Sequence, residues 1–496
     1  MGIIKRQFLI NSVFTYFGLL IGFLNYLILF PRYLSTEQIG LLRLLISITA
    51  IFAQIAQWGV PGSIIKYFPI YKTANKKHNG ILNLMLVLGI VGCFLVSLAY
   101  ILGEAYIKTY FLQKSNLFVS YYWLVIPIGV FSALFNNFEA ISAAFYRSVE
   151  ASFLREVFLR IVLSLLVLGY AANFITFDGV LYAFAGSYVL AFWAIFYVIH
   201  KQKQLDWFAS FSDLPRKDFN EILKFSAYCM FSGGVVLATF NIDSIMIGSM
   251  IGLSSLGVFS VYANLAVVIA IPSRAFNKIA YPVISEAWSR NDIEKIGILY
   301  RKSSIIQTIL TLWIYGGICL NNHNLFAFLK KTEYQDSWLV FIFLGLSNVV
   351  NAAFGVNHYL LSSSAKYQFD SYFNFFLLFL TIVTNLIFIY LYGVIGAAFA
   401  TFLSMLVLNF LKWWFIKLCF KLQPFNLGHL YSLAIASACF LIAYCVPSLS
   451  NLYLDLVIRS SLFSLLYGAA ILFFKIDADI NLFFLKTLQK VFPQKF

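Results

Sequence analysis

Long apolar stretches alternate with short polar connections along most of this chain, and each stretch has the length of a bilayer crossing. A helix rises 1.5 Å per residue, so about 20 mostly apolar residues cover the ~30 Å of hydrocarbon. That ruler predicts about fourteen transmembrane helices, at 8–30, 39–65, 81–103, 118–145, 158–174, 180–199, 225–249, 257–283, 304–320, 338–361, 371–391, 394–416, 429–447 and 455–474. Pro61 and Pro127 fall inside spans two and four and are expected to kink them. The tail from Asp479 places Ile480, Phe484, Leu488 and Phe492 on one helical face, the pattern of a short helix lying on the inner membrane surface. "LPRKDFNEILKF" before span seven, with Pro215 near a helix start, reads as a second interfacial helix.

Composition agrees with this pattern. The 496 residues are 61% hydrophobic and 19% aromatic, with 11% charged and a mean hydropathy of +0.85. A soluble protein carries about 25% charged residues. The fold class is therefore an all-α polytopic membrane protein whose solvent is the bilayer. A net charge of +15 does not indicate nucleic acid, because the basic residues lie in short connections rather than on one folded face. Numbered from a cytoplasmic N-terminus, the even connections hold roughly 26 of the 35 Lys and Arg residues, against about 5 in the odd ones. That bias predicts both termini inside, with an uncleaved first span, since no small-x-small site follows Lys5 and Arg6. The outer connections, the longest being "GEAYIKTYFLQKSN" and "NNHNLFAFLKKTEYQDS", leave no room for a soluble domain.

The six cysteines lie in or beside spans without C-x-x-C pairing, so no zinc or disulfide framework is indicated. No phosphate-loop motif occurs, no cofactor or metal is called for, and the scattered carboxylates and histidines form no hydrolytic site. A transporter, not an enzyme, is the expectation.

The chain also echoes itself. "TFDGVLYAFAGSYV" aligns with "YLYGVIGAAFATFL", Gly179 onto Gly393, at an offset of about 214. The same offset brings Ser148 onto Ser362 and Glu156 onto Asp370, and two earlier matches follow at about 217 and 213. An offset of six spans inserts both copies the same way up, which is a parallel repeat with a substrate site expected between the lobes. The expected organisation is an N-lobe at 1–205, a cytoplasmic linker with an interfacial helix at 206–224 and a C-lobe at 225–417. Two extra spans at 418–475 and an amphipathic tail at 476–496 complete it.

Three stretches, "RYLSTEQIGLLRLLISITAIFAQIAQWGVPGSIIKYFP", "FNIDSIMIGSMIGLSSLGVFSVYANLAVVIAIPSRAFNKIAYPVISEAW" and "YGVIGAAFATFLSMLVL", resemble polysaccharide flippases of the MOP exporter superfamily, the Wzx type of O-antigen and capsule pathways. The resemblance covers essentially the whole chain. It implies two six-helix lobes plus two helices in the bacterial cytoplasmic (inner) membrane, and transfer of an undecaprenyl-pyrophosphate-linked oligosaccharide to the outer leaflet. A polysaccharide polymerase and glycosyltransferases are the partners it implies. Relatives that move lipid-linked sugars carry cations on the helices lining the cleft. Span one here offers only Asn25 between its ends, which moves the expected contacts to spans two and eight.

Arg274 and Lys278, four apart on span eight, and Lys66, near the matching depth of span two, form the expected basic contacts for the pyrophosphate. Snorkelling of these long side chains to lipid phosphates is the competing reading. Asp243 in span seven and Arg43 in span two lie at matched depth toward the outer side and form an expected gate pair, against separate wet-interface positions. Glu139, near the inner end of span four, either carries a coupling proton or pairs with Arg147.

An ion-coupled multidrug exporter of the same superfamily is the alternative, and it would need an acidic cleft where this chain leans basic. A membrane polymerase or glycosyltransferase would carry larger outer loops. A non-transporting scaffold for glycan enzymes is the remaining class.

Overall fold

The computed structural model describes residues 2–73, 78–201, 206, 216–329, 332–447, 449–477 and 481. It is helical throughout, with no strand among the described residues. In chain order the elements are α1 (Gly2–Leu24), α2 (Thr36–Ala56), α3 (Val60–Tyr71), α4 (Ile81–Leu102), α5 (Glu104–Leu112), α6 (Val125–Ala144), α7 (Leu159–Ala171) and α8 (Phe177–Lys201). They continue as α9 (Arg216–Met250), α10 (Leu253–Ser289), α11 (Ile293–Leu320), α12 (Asn322–Leu329), α13 (Trp338–Ala353), α14 (Asn357–Ser362), α15 (Gln368–Phe420), α16 (Leu427–Tyr444) and α17 (Leu452–Phe473).

Eleven helices among the described residues are long and apolar enough to cross a membrane. The remaining expected spans are shorter or fused. Spans eleven and twelve form the 53-residue α15, broken at Gly393, whose φ of 60° and ψ of −136° reverse the chain. Span ten is the 16-residue α13. Span five is the 13-residue α7, lengthened by helical turns from Val149 onward.

The chain divides into two compact units, Met1–Val261 and Tyr262–Phe496. The first unit takes in α9 and the start of α10 as well as α1–α8, since α9 packs along α2 and α3. Residues 216–224 are the opening turns of the 35-residue α9 and run on into the rest of that helix. The expected tail helix lies outside the described residues, Asn481 apart.

Both prolines act differently from expectation. Span two does not kink at Pro61; it breaks at Trp58 and Gly59, with φ of 53° and 65°, and Pro61 then sits in the first turn of α3. A proline there removes no intrahelical hydrogen bond. Pro127 likewise occupies the first turn of α6. Gly59 is required twice over, by its left-handed backbone and because a Cβ there would lie 1.9 Å from the Ser226 carbonyl oxygen.

Local signals set several helix ends. Ser35 and Gln38 form a reciprocal capping box on α2, at 3.1 and 2.9 Å. Asp292 caps α11 through the Lys295 amide at 3.0 Å, and Asn451 caps α17 through the amides of Tyr453 and Leu454. In the first unit, Ile64, Phe68, Ile141, Ile195 and their neighbours from α3, α4, α6 and α8 form one buried core. In the second, Ile284, Ile296, Tyr300, Leu360 and Ile416 centre another.

Candidate functional site

The polar residues of the first unit are not scattered; they collect along a seam and a track leading away from it. The seam runs where α2 and α3 lie antiparallel to α9. Thr36 Oγ1 meets Ser254 Oγ at 2.8 Å, and the Arg43 Nε donates to Ser244 Oγ at 3.0 Å. Farther along, Gln54 Nε2 donates to the Met230 carbonyl at 3.4 Å, and the Ser63 and Ser226 hydroxyls meet at 2.6 Å. Small residues bring the backbones together, as is usual between helices in lipid. A Cβ at Gly40 would lie 1.9 Å from the Leu253 carbonyl oxygen, and one at Gly257 equally close to that of Thr36.

From the seam a chain of hydrogen bonds crosses the unit. Gln57 Nε2 donates to Gln54 Oε1 at 2.5 Å, and Asn136 Nδ2 donates to Gln57 Oε1 at 2.9 Å. The Arg155 guanidinium closes the track by donating to both Asn136 Oδ1 and the Glu139 carboxylate. Arg155 and Glu156 lie in a π-helical turn, Leu154–Phe158. A second π-helical turn, Asn25–Leu29, interrupts span one, and its buried Asn25 joins the first: Nδ2 donates to the Arg160 carbonyl at 3.3 Å. Ser164 Oγ donates to Asn25 Oδ1 at 2.7 Å, while Arg160 pairs with Glu156 at 2.9 Å. Single π turns of this kind recur at functional sites because they redirect one side chain without ending the helix. Tyr26 lies within electrostatic reach of Arg43 and Arg160, and Tyr188 within that of Arg155 and Arg160. Arg160 is thus in reach of both tyrosines, Arg43 of Tyr26 and Arg155 of Tyr188, and the Arg155 and Arg160 side chains are 41% and 33% exposed.

The expected site residues take the following places. Arg43 and Asp243 share the seam: the guanidinium is bonded to Ser244, next to the buried Asp243. Glu139 pairs with Arg155, not with Arg147, because the π-helical turn carries Arg155 back toward α6. Arg147 is exposed. Lys66 is exposed and lies over the Phe225 ring at 3.8 Å and the Tyr67 ring at 4.9 Å, cation–π contacts worth about 0.5–2 kcal/mol together. In the second unit Arg274 and Lys278 are exposed on one stretch of α10, with Tyr359 in electrostatic reach of Arg274.

Two groups escaped the sequence reading. Arg155 and Arg160 flank span five, and the signal was the i,i+4 pair of Glu156 and Arg160 beside an apolar run. The other is a buried cluster in the second unit. Lys412 Nζ lies 2.7 Å from Asp370 Oδ1 and 3.4 Å from Asn374 Oδ1. His358 Nδ1 reaches the same Asp370 oxygen at 3.0 Å, and Asn374 Nδ2 reaches the other at 3.3 Å. Lys412 is 3% exposed, whereas the His358 side chain is 48% exposed. This cluster pins the two halves of α15 across the Gly393 reversal.

Residues 4–288 match the family model described as polysaccharide biosynthesis protein. The chain belongs to that family. Among curated proteins none matches it. Its fold is that of solved MOP-superfamily structures. A structure described as lipid II flippase MurJ in an inward closed conformation superposes with a TM-score of 0.72 at 14% identity, over 94% of this chain and 99% of the other. An inward-facing multidrug resistance MATE transporter of the MOP superfamily superposes at 0.65 with 14% identity, over 82% and 94%. This member of the polysaccharide biosynthesis family is thus a multi-pass membrane protein with the MurJ/MATE-like fold.

Proposed function

We propose that the chain is a flippase that carries an undecaprenyl-pyrophosphate-linked oligosaccharide from the inner to the outer leaflet of the cytoplasmic membrane for cell-surface polysaccharide synthesis. The observation that carries this reading is the hydrogen-bonded polar track of the first unit, in which Arg155 bonds Asn136 and Glu139, the Arg160 backbone bonds buried Asn25, and Arg43 stands in the seam. Planar guanidinium forks match the oxygens of a pyrophosphate, and in a site shielded from water the match is stronger. Family membership and the MurJ-like fold support the same direction.

The geometry also supplies a way to couple binding to opening. Arg43 is held in the seam by one hydrogen bond to a neutral hydroxyl, worth a net ~1.5–3 kcal/mol because its donor is charged. A guanidinium–phosphate contact is charged on both sides and can be bidentate, so it is stronger still. An anion arriving at the tyrosine pair draws Arg43 off Ser244 and loosens the seam beside Asp243. The remaining contacts are serine, glycine and amide pairs of small individual strength, which lets the seam part and reclose. Lys66 is a headgroup contact on the first unit; separately, Arg274 and Lys278 are headgroup contacts on the second. Glu139 keeps Arg155 aimed along the track.

The test is export in cells that depend on this chain for surface polysaccharide. Arg155→Gln and Arg160→Gln should each lower surface glycan at least tenfold while the lipid-linked precursor accumulates and membrane levels of the protein hold. Unchanged export in both variants removes the guanidinium cluster from the reading. Energy-dependent extrusion of ethidium by the parent chain, with surface glycan unaffected by its deletion, replaces the flippase by the drug exporter.

A further inference from the structure

The helix α5 lies between two bilayer crossings at one end of the first unit, and it is turned outward in an unusual way. Tyr106 and Tyr110, one helical turn apart, are 80% and 54% exposed. Thr109 and Gln113 continue the same face. Together with Lys114 and with Ser249 at the end of α9 they line an open pocket of about 480 Å³. That volume is within the ~300–1,000 Å³ typical of small-molecule sites.

The floor is fixed. Ser115 Oγ donates to the Gly248 carbonyl, and a Cβ at Gly252, whose φ is 130°, would lie 2.7 Å from the Lys114 carbonyl oxygen. The α5 end and the α9 end therefore form one ledge. The polar side chains on it are not engaged elsewhere: those of Tyr106, Tyr110, Gln113 and Lys114 make no hydrogen bond or ion pair with any described residue. Thr109 and Ser249 donate their hydroxyl protons to Ala105 and Met246, at 2.7 and 3.1 Å, which leaves their oxygens as acceptors.

Two exposed phenol rings beside an amide, two hydroxyl acceptors and an ammonium are the complement of a pyranose. A sugar ring presents electropositive C–H groups on its flat face, which favours the electron-rich face of an aromatic ring. Its hydroxyl rim both donates and accepts, as the amide and the threonine and serine oxygens require. Lys114 adds a partner for a carboxylated sugar. Lys66, Lys72, Arg147, Lys201 and Lys224 lie at the opposite end of the unit, so the positive-inside bias puts this ledge on the outer face.

We propose that the α5 ledge is a carbohydrate-binding site at the exit side, where the glycan of the lipid-linked substrate docks as the headgroup leaves. The identity of the arriving glycan rests on the flippase reading; affinity of the ledge for sugar does not.

The full chain in lipid nanodiscs is titrated with three soluble probes, maltotriose, N,N′-diacetylchitobiose and trigalacturonate, and binding is followed by saturation-transfer NMR. At least one probe binds with millimolar-class affinity. Tyr106→Ala/Tyr110→Ala weakens that binding about tenfold, and Tyr106→Phe/Tyr110→Phe keeps it within about threefold, because stacking area and not the phenol hydroxyl carries the contact. Lys114→Gln weakens trigalacturonate alone. The ledge is exposed, so both tyrosine variants should unfold at the parent temperature. Failure of all three probes to bind, or an alanine variant that binds as the parent does, overturns the site. So does an alanine variant that only lowers membrane retention, the mark of an interfacial anchor. Because no transport is measured, a chain that binds sugar yet fails the export test keeps this site and loses the flippase reading.

Discussion

Replacing Lys412 by methionine isolates a buried charge cluster in the second unit. At 2.7 Å and an effective dielectric of 20, the Lys412–Asp370 attraction is about 6 kcal/mol before desolvation. Desolvating two ions costs several kcal/mol each, so the pair contributes little net stability against an apolar pair of similar shape. Removing one partner is different, because the Asp370 carboxylate stays buried with only His358 and Asn374 beside it. The expected loss is ~3–5 kcal/mol for Lys412→Met alone. Asp370→Asn combined with Lys412→Met should recover most of that, giving a coupling energy of at least ~2 kcal/mol in a double-mutant cycle. Reversible unfolding in mixed micelles of denaturing and mild detergent, followed by circular dichroism, supplies the four free energies. A double variant as unstable as the sum of the two singles would falsify the account of Lys412 as a charge held in place by Asp370. The assay also separates structure from transport: if the double variant is stable and exports normally, the cluster serves only to clamp the two halves of α15.

The remaining predictions concern the first unit and the start of α17. Cysteines at Ser63 and Ser226, whose hydroxyls meet at 2.6 Å, should form a disulfide that blocks export until reduced; ready crosslinking with undiminished export would show that the seam need not part. Gly59→Ala, strained by its φ of 65° and by the Ser226 carbonyl 1.9 Å away, should abolish that crosslink and lower thermal stability measurably. Arg43→Asp or Asp243→Arg alone should reduce export, and the double reversal should restore it in stably inserted protein, with persistent loss counting against a gate at these positions. Asp455 accepts from Arg459 Nε at 2.8 Å, from Asn324 at 2.7 Å and from the Leu449 amide at 2.9 Å. Asp455→Ala leaves the 8%-exposed Arg459 without its carboxylate and should cost ~3–5 kcal/mol in the same unfolding assay.

How far the site could be read in advance differed from residue to residue. Arg43 and Asp243 stood out because a charge inside an apolar span is costly and marks a place to look. The same rule pointed to Lys412 inside span twelve, but Asp370 lies just outside span eleven, 42 positions away in the chain, and nothing local joins them. Arg155 was hidden at the edge of a span, where a basic residue is ordinarily a topology signal. Asn25 was legible as the one amide deep in span one, but its bond to the Arg160 backbone depends on two π-helical turns that leave no mark in hydropathy. Glu139 had two arginines within reach, and local backbone geometry chose between them.

Taken alone, the sequence determined the solvent, the helical class, the places of most crossings and the family. Each follows from a sum over many residues: the hydropathy of 20-residue windows, or the pattern of a long stretch. Tertiary structure alone decided which polar side chains meet, where span two breaks against Ser226, and that Arg155 closes on Glu139 and Asn136. The physical reason is that a membrane helix apolar on every side carries no hydrophobic stripe to fix its rotation. Rotation is set instead by close backbone approach at small residues and by a few interhelical hydrogen bonds, and these exist only once the partner helix is in place.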